Sequence, residues 1–131
     1  MTQSDTYFVK SIGDGAKVTF GGAEIAGHTI KGRGSGELLV HGAGTLLVHL
    51  KAEAGFDQDG HMHPDHESIG YVVSGKFEMK VGDGPVQILE AGDTWYHPAN
   101  TWHTCKALED AVALEFHAPL RPDLLKLFGQ A

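Results

Sequence analysis

The sequence predicts an all-β fold, a sandwich or barrel of short antiparallel strands with one short helix at its C-terminal end. Its 131 residues include 18 glycines and five prolines, which favour frequent turns over long helices. Short runs of apolar and β-branched residues recur along the chain. Turn signals separate these runs at a spacing of about ten residues, which is typical of sandwiches and barrels. The length suits one compact domain.

Three segments make up the predicted domain. Residues 1–36 are rich in glycine and predict an arm or edge strands. Residues 37–119 are predicted to form the barrel, and residues 120–131 a helix and tail. The strand candidates of the barrel are 37–41, 45–54, 69–73, 76–81, 86–90, 94–97, 101–107 and 111–117. Serine and glycine at 74–75 join two of these candidates and indicate a hairpin.

The segment "RPDLLKLF" at 121–128 is the one helix candidate. Pro122 suits the first helical turn, and Gly129 suits the stop. The leucines and the phenylalanine between them give the helix an apolar side.

Composition narrows the class of partner and the compartment. Lys and Arg total 10 against 17 Asp and Glu, so the net charge of −7 argues against nucleic acid or an anionic membrane as partner. A small-molecule ligand or substrate is favoured instead. The single cysteine, Cys105, excludes an intrachain disulfide and fits a reducing compartment. The start shows no secretory pattern, and no apolar run approaches the ~20 residues that span a bilayer. We therefore expect a cytoplasmic protein.

Histidines in the middle of the chain predict a metal site. His61 and His63 are two residues apart, so in a strand both side chains project from the same face. Neutral imidazoles bind Zn, Fe, Ni, Cu or Mn. A durable site needs further ligands from another strand. His103, after the turn at 98–100, supplies one if its strand runs beside the first.

Two motifs around these histidines resemble those of the cupins. The first cupin motif is G-x5-H-x-H-x3,4-E-x6-G, which the segment from Gly55 to Gly75 follows closely. The second is G-x5-P-x-G-x2-H-x3-N, which Gly92 to Ala107 follows with two departures. Asn100 stands in place of the turn glycine and tolerates positive φ, and Ala107 stands in place of the final asparagine.

The resemblance implies a double-stranded β-helix, a jelly roll closed around a lumen. It also implies one divalent metal ion (Fe, Mn, Ni, Co or Zn) held in that lumen. Carried over by position, the ligands are His61, His63, Glu67 and His103. Small cupins often form homodimers, so a homodimer through the outer strands or an exchanged N-terminal segment is a further expectation.

The fourth ligand place stays open on the sequence. Glu67 has the right spacing from His63. The motif, however, has six residues between its glutamate and its last glycine, and six residues before Gly75 leave Ser68 at the glutamate position. By strand parity, His66 and Ser68 face together and Glu67 faces the other way. Three alternatives follow: Glu67 reaches in from a loop, His66 takes the place, or three histidines share the metal with water.

Other side chains near this site have weaker signals. His97 is a candidate general base or a hydrogen-bond donor beside a ligand, and a buried, satisfied histidine is the alternative. Cys105 is expected to be a small buried hydrophobe, and Glu115 is expected to face outward. The histidines without a spaced partner are taken as surface or core residues: His28, His41, His49 and His117.

A metal-dependent enzyme acting on a small molecule is the leading functional hypothesis. A metal held by neutral histidines acts as a Lewis acid or lowers the pKa of bound water. An oxygenase, an isomerase and a lyase all fit, because one fold hosts many chemistries. The alternative is a non-catalytic cupin that binds a small ligand or regulates a partner.

Overall fold

The computed structural model describes residues 12–13, 15–21, 24–25 and 28–129. These residues form twelve strands and one helix. In chain order they are β1 (Ala16–Gly21), β2 (Glu24–Ile25), β3 (His28–Lys31), β4 (Arg33–His41), β5 (Leu46–Ala52), β6 (Asp57–His61), β7 (Glu67–Ser74), β8 (Lys76–Val81), β9 (Gln87–Glu90), β10 (Thr94–His97), β11 (His103–Ala107), β12 (Ala111–Ala118) and α1 (Pro122–Leu127).

The strands form two six-stranded antiparallel sheets. Their orders are β1-β4-β5-β12-β7-β10 and β2-β3-β6-β11-β8-β9. The main apolar cluster draws Leu50 and Val72 from the first sheet and Phe77 and Met79 from the second, so the sheets pack face to face. The all-β jelly roll with a short C-terminal helix is confirmed. The division of the domain into three segments stays a prediction. Its first boundary, between residues 36 and 37, falls inside β4.

Helix α1 covers one end of the space between the sheets. Pro122 occupies its first turn, and Gly129 follows it with a φ of 73°. Phe128, directly after the helix, is buried with Leu38, Leu46 and Val48 in a second apolar cluster. The C-terminal segment is therefore part of the wall of the central cavity.

The hairpin between β7 and β8 depends on Gly75. Its φ is 81°, and a Cβ atom there would lie 2.2 Å from the carbonyl oxygen of Asp110. Only glycine meets both conditions, so the predicted turn at 74–75 has a steric as well as a conformational cause.

The outer face of the first sheet carries an apolar row across five strands. Register places Val40 beside Leu47, Leu47 beside Phe116, Phe116 beside Ile69, and Ile69 beside Tyr96. Four of these side chains are exposed, and Leu47 is half-buried. We call this set the outer row. The opposite face of the same strands turns polar side chains toward the central cavity.

Removal of the Phe56 ring is expected to destabilise the fold strongly. Phe56 is 0% exposed and packs against Phe20 with ring centroids 6.3 Å apart. Phe56→Ala should cost about 3–5 kcal/mol, because it loses buried apolar area and leaves a cavity. Urea unfolding followed by tryptophan fluorescence measures the loss. Phe116→Ala is the matched control, since Phe116 is 41% exposed and its loss should stay below about 1 kcal/mol. Equal losses in the two variants would contradict this account of the core.

Within the described part of the chain, no helix is both long enough and apolar enough to cross a membrane.

Candidate metal centre

The central cavity, or lumen, lies between the two sheets with α1 at one end. Its wall combines imidazoles from the second sheet with polar side chains from the first and apolar side chains from the C-terminal segment. Polar and apolar walls therefore face each other across one space, which is the usual composition of a small-molecule site.

Three histidines converge in the lumen, each from the end of a strand. His61 is the last residue of β6, His103 is the first of β11, and the two stand opposite each other in the antiparallel register. His63 lies two residues beyond the end of β6. One nitrogen atom from each ring falls in a group whose members lie within 4.8 Å of one another. The three predicted histidines are thus brought together, although the strand ends before His63.

The turn before β11 fixes the loop that carries His63. The backbone N–H of Asn100 donates a hydrogen bond of 2.7 Å to the carbonyl oxygen of His63. Asn100 has a φ of 60°, as expected for a residue in place of the motif glycine. Trp102 lies so close over Gly60 that a Cβ atom there would be 2.4 Å from its ring. These contacts hold β6, the loop and the start of β11 as one unit.

The imidazoles of this group are suited to bind a cation. Burial, as the largest cause, and the positive charge of Arg121 together with neighbouring imidazoles lower the pKa of His63 to about 2. His63 is therefore neutral at physiological pH, which is the ligand form. His103 Nδ1 lies 3.2 Å from the carbonyl oxygen of Thr101. Since a carbonyl only accepts, Nδ1 carries the proton and the lone pair is on Nε2.

Neither candidate for the fourth ligand joins the three histidines. Glu67 begins β7 with its side chain exposed, and it accepts a hydrogen bond of 3.2 Å from the Tyr96 hydroxyl. Residue 67 is already in the strand and parity turns its side chain outward, so the structure does not bring Glu67 to the three histidines, and its role as a ligand stays a prediction. Ser68, on the inward side, lines the lumen.

His66 is buried behind His63 instead of beside it as a ligand. The two ring centroids are 4.2 Å apart at 31°. His66 Nδ1 pairs with Asp65 Oδ1 at 3.0 Å, and its Nε2 has no hydrogen-bond partner among the described residues. Burial lowers its pKa. Of the three alternatives, the described residues show a group of three histidines.

His97 stacks on His103. The rings are nearly parallel, at 13°, with centroids 3.9 Å apart. His97 is buried and lines the lumen, and its Nε2 has no partner among the described residues. Burial lowers its pKa to about 3, so it is neutral. The structure places it against a member of the three-histidine group, and its role as a general base stays a prediction.

A second polar group lines the lumen from β12 and the segment after it. Glu115 and His117 point inward, with His117 Nε2 3.9 Å from Glu115 Oε2. Arg121 is buried and lies with Nη1 3.4 Å from His117 Nδ1. Asp123 binds the other edge of the guanidinium, at 3.2 Å from Nε and 2.6 Å from Nη2. The outward orientation predicted for Glu115 is wrong, whereas His117 is a buried residue with a hydrogen-bond partner, one of the two environments expected for it.

Burial controls the charge of this second group. It raises the pKa of Glu115 to about 7, although the charge of Arg121 acts in the opposite direction. It lowers the pKa of His117 to about 3, and Arg121 adds to that effect. Glu115 is therefore present in both protonation states near neutral pH while His117 is neutral.

The sequence of β12 does alternate between two sets of residues, but the larger apolar residues are in the set that faces outward. In "AVALEFHA" the larger apolar residues Val112, Leu114 and Phe116 alternate with Ala113, Glu115 and His117. Placing the apolar set inside turns Glu115 outward. The structure has the reverse arrangement, because this face of the sheet lines a polar cavity.

The remaining candidates are placed as follows. Cys105 is buried in the main core as predicted, and burial raises its pKa well above the ordinary value. His49 is buried. His41 hydrogen-bonds at 3.2 Å to the carbonyl of Gly42 at an exposed position. The side chain of His28 lies outside what the structure describes.

Comparison with known proteins places this site in context. The family model described as the cupin domain matches residues 46–118. The pectin degradation protein KdgF of Dickeya dadantii (strain 3937) is 35% identical over 66 residues, which cover 50% of this chain and 59% of that protein. The chain therefore spans less than two thirds of the length of this curated relative.

Solved structures that are similar to this chain also include KdgF and a cupin. KdgF from Halomonas sp. is 32% identical with a TM-score of 0.66, and the match covers 70% of this chain and 85% of that chain. An RmlC-like cupin from Shewanella frigidimarina NCIMB 400 is 22% identical with a TM-score of 0.71, and the match covers 95% of this chain and 99% of that chain. At that identity the second likeness shows the fold alone.

Proposed function

Because this chain belongs to the cupin domain family, we propose that it is a metal-dependent enzyme that acts on a small sugar acid derived from pectin. One observation carries the proposal. A group of three histidines shares the lumen with a carboxyl group, Glu115, and a buried guanidinium, Arg121. The likeness to proteins named for pectin degradation suggests the substrate class.

His61, His63 and His103 are the residues that would hold the metal. Their nitrogen atoms are close enough to share one ion, and the tautomer of His103 directs a lone pair from Nε2. A divalent ion bound there supplies a Lewis acid for a substrate oxygen. Three neutral ligands leave that ion its full charge, whichever of Fe, Mn, Ni, Co or Zn is bound.

Arg121 is suited to recognise the carboxylate of the sugar acid. Its guanidinium is always charged and presents donors in a planar fork that matches a carboxylate. Asp123 binds one edge of that fork and so fixes its orientation at the lumen wall. Pectin is built mainly from galacturonate, and a galacturonate released with its acid group free carries such a carboxylate.

Glu115 is suited to move a proton. A general acid–base group works best when its pKa lies near the working pH, and burial brings Glu115 to about 7. Leu124, Leu127 and Phe128 line the same cavity and limit the access of water. This combination favours ring opening or isomerisation, because both reactions require a proton to be moved along with the bonds that break and form.

The proposal is tested with unsaturated galacturonate, the sugar acid that eliminative cleavage of pectin yields. Protein stripped of metal and reloaded in turn with each divalent ion should consume it, seen as loss of ultraviolet absorbance from its conjugated double bond. Chelation should abolish turnover, and saturated galacturonate is the control substrate. No turnover with any of the five ions, in protein shown to bind them, would overturn the proposal.

A non-catalytic binding protein is the second candidate function. The observation in its favour is Glu67, which faces outward at the position of the expected carboxylate ligand. Calorimetry separates the two candidates. Tight binding of galacturonate to the metal-loaded protein without turnover of any uronate would support the binding function.

A further inference from the structure

Glu115 and His117 form a contact that neither metal binding nor substrate charge explains. Both side chains point from β12 into the lumen, and His117 Nε2 faces Glu115 Oε2 at 3.9 Å. That distance is about 1 Å longer than a hydrogen bond of about 2.9 Å. A small rotation of either side chain closes it. The question is which of the two atoms would carry the proton.

Arg121 decides the tautomer of His117. Its Nη1 lies 3.4 Å from His117 Nδ1. A guanidinium only donates, so Nδ1 must accept and the proton of the neutral ring is on Nε2. The orientation of Arg121 is not free to change, because Asp123 binds its Nε and Nη2 at 3.2 and 2.6 Å.

We propose that His117 is a positioning residue, whose Nε2–H group orients the carboxylate of Glu115 in the lumen while Arg121 imposes the required tautomer. The inference rests on the proposed function for its effect on turnover, but the tautomer and the contact stand without it. The order of contacts runs from Asp123 near the surface through Arg121 and His117 to Glu115.

The same geometry argues against His117 as a metal ligand. Binding a cation through Nε2 would move the ring proton to Nδ1, directly against the donor of Arg121. His117 is therefore committed to its neighbours. The charged and titratable groups around the pair are Arg121, Asp123, His66, His97, His103 and Cys105.

The first test measures the tautomer in the metal-free wild-type protein. Nitrogen-15 correlation spectra distinguish an imidazole protonated at Nε2 from one protonated at Nδ1. The His117 signals are identified by their loss in His117→Asn. We expect the Nε2–H form. The Nδ1–H form or a protonated ring at neutral pH would overturn the proposal, and no substrate enters this result.

The second test separates the two nitrogen atoms by substitution. His117→Gln places an amide donor near the former Nε2, whereas His117→Asn keeps an acceptor near Nδ1 and His117→Phe keeps only the ring shape. The carboxyl band of Glu115, assigned by its loss in Glu115→Gln, is titrated by infrared spectroscopy. A lost donor destabilises the carboxylate, so the pKa of Glu115 should rise in the Asn and Phe variants and stay near the wild-type value in Gln.

Turnover supplies a third readout. kcat/KM should fall by about tenfold to a hundredfold in His117→Asn and His117→Phe, with partial rescue in His117→Gln. One limb of the pH profile of kcat/KM should be absent in Glu115→Gln. In the His117 variants, the pKa of that limb should rise together with the Glu115 pKa measured by infrared spectroscopy. An unchanged Glu115 pKa in all three His117 variants would overturn the positioning role. If no uronate is turned over but the tautomer is Nε2–H and the pKa moves, the proposed function fails and the positioning role stands.

Discussion

Replacing His103 by alanine is expected to lower the affinity for a divalent metal by more than about a hundredfold, since even residues beyond the ligands contribute about ten- to a hundredfold. His103 stands opposite His61 in the register, and its tautomer is set by the carbonyl of Thr101. Two histidines then remain, one at the end of β6 and one in the loop that follows it, and turnover of the sugar acid should be lost. Competition with a metal-sensitive dye measures the affinity.

Glu67→Gln is the matched control for this variant. Glu67 is exposed and bound to Tyr96, so its replacement should change the metal affinity by less than about threefold, within the spread of surface substitutions. A large loss in Glu67→Gln, or an unchanged affinity in His103→Ala, would contradict the three-histidine site. Circular dichroism of both variants checks that the barrel persists.

Glu115→Gln is expected to lower kcat by about a hundredfold to ten-thousandfold, which is the usual contribution of a positioned acid–base group. The substitution keeps the size of the side chain but removes its titratable carboxyl group. Metal affinity should stay at the wild-type level, because Glu115 does not belong to the three-histidine group. Steady-state kinetics with metal-loaded protein tests this, and a kcat near that of the wild type would exclude Glu115 from the proton transfer.

The same substitution should stabilise the metal-free protein above neutral pH. The Glu115 side chain is 16% exposed, and burial raises its pKa from 4.5 to about 7. The folded state thus binds this proton more tightly than the unfolded state, so stability falls as pH rises from about 4.5 to 7. At pH 8 the difference is about 3 kcal/mol in favour of Glu115→Gln, and at pH 4 it vanishes. Urea unfolding at the two pH values measures both, and a gain of equal size at pH 4 would contradict burial as its cause.

Strands that are bordered by turn residues were predictable from the sequence. The bounds 76–81 and 94–97 agree with β8 and β10, because turn residues border both segments. The helix expected at 121–128 forms at Pro122–Leu127. In β4 the strand begins at Arg33, four residues before the predicted start at 37. The extra residues are "RGSG", whose glycines hide the alternation that identifies a strand.

Half of the candidate site was predictable for a similar reason. His61, His63 and His103 follow from spacing, because their placement depends on local chain geometry and one strand pairing. Arg121 lies in the segment after β12. The placement of Glu115 and His117 depends on which face of β12 is inside, which the sequence alone leaves undecided. Their strand turns alanines, a carboxyl group and an imidazole inward while phenylalanine points outward. The rule that apolar residues are inside fails where a sheet encloses a polar cavity.

The outer row and the lumen occupy opposite faces of the same strands. Phe116 lies between Glu115 and His117 in sequence, yet its side chain is on the other side of the sheet. Ile69 has the same relation to Ser68. Substitution in the outer row can therefore change solubility or association while the geometry of the three-histidine group is retained. Among proteins of this architecture, the residues of the outer face and those of the lumen can then diverge at separate rates, even though they alternate along the same strands.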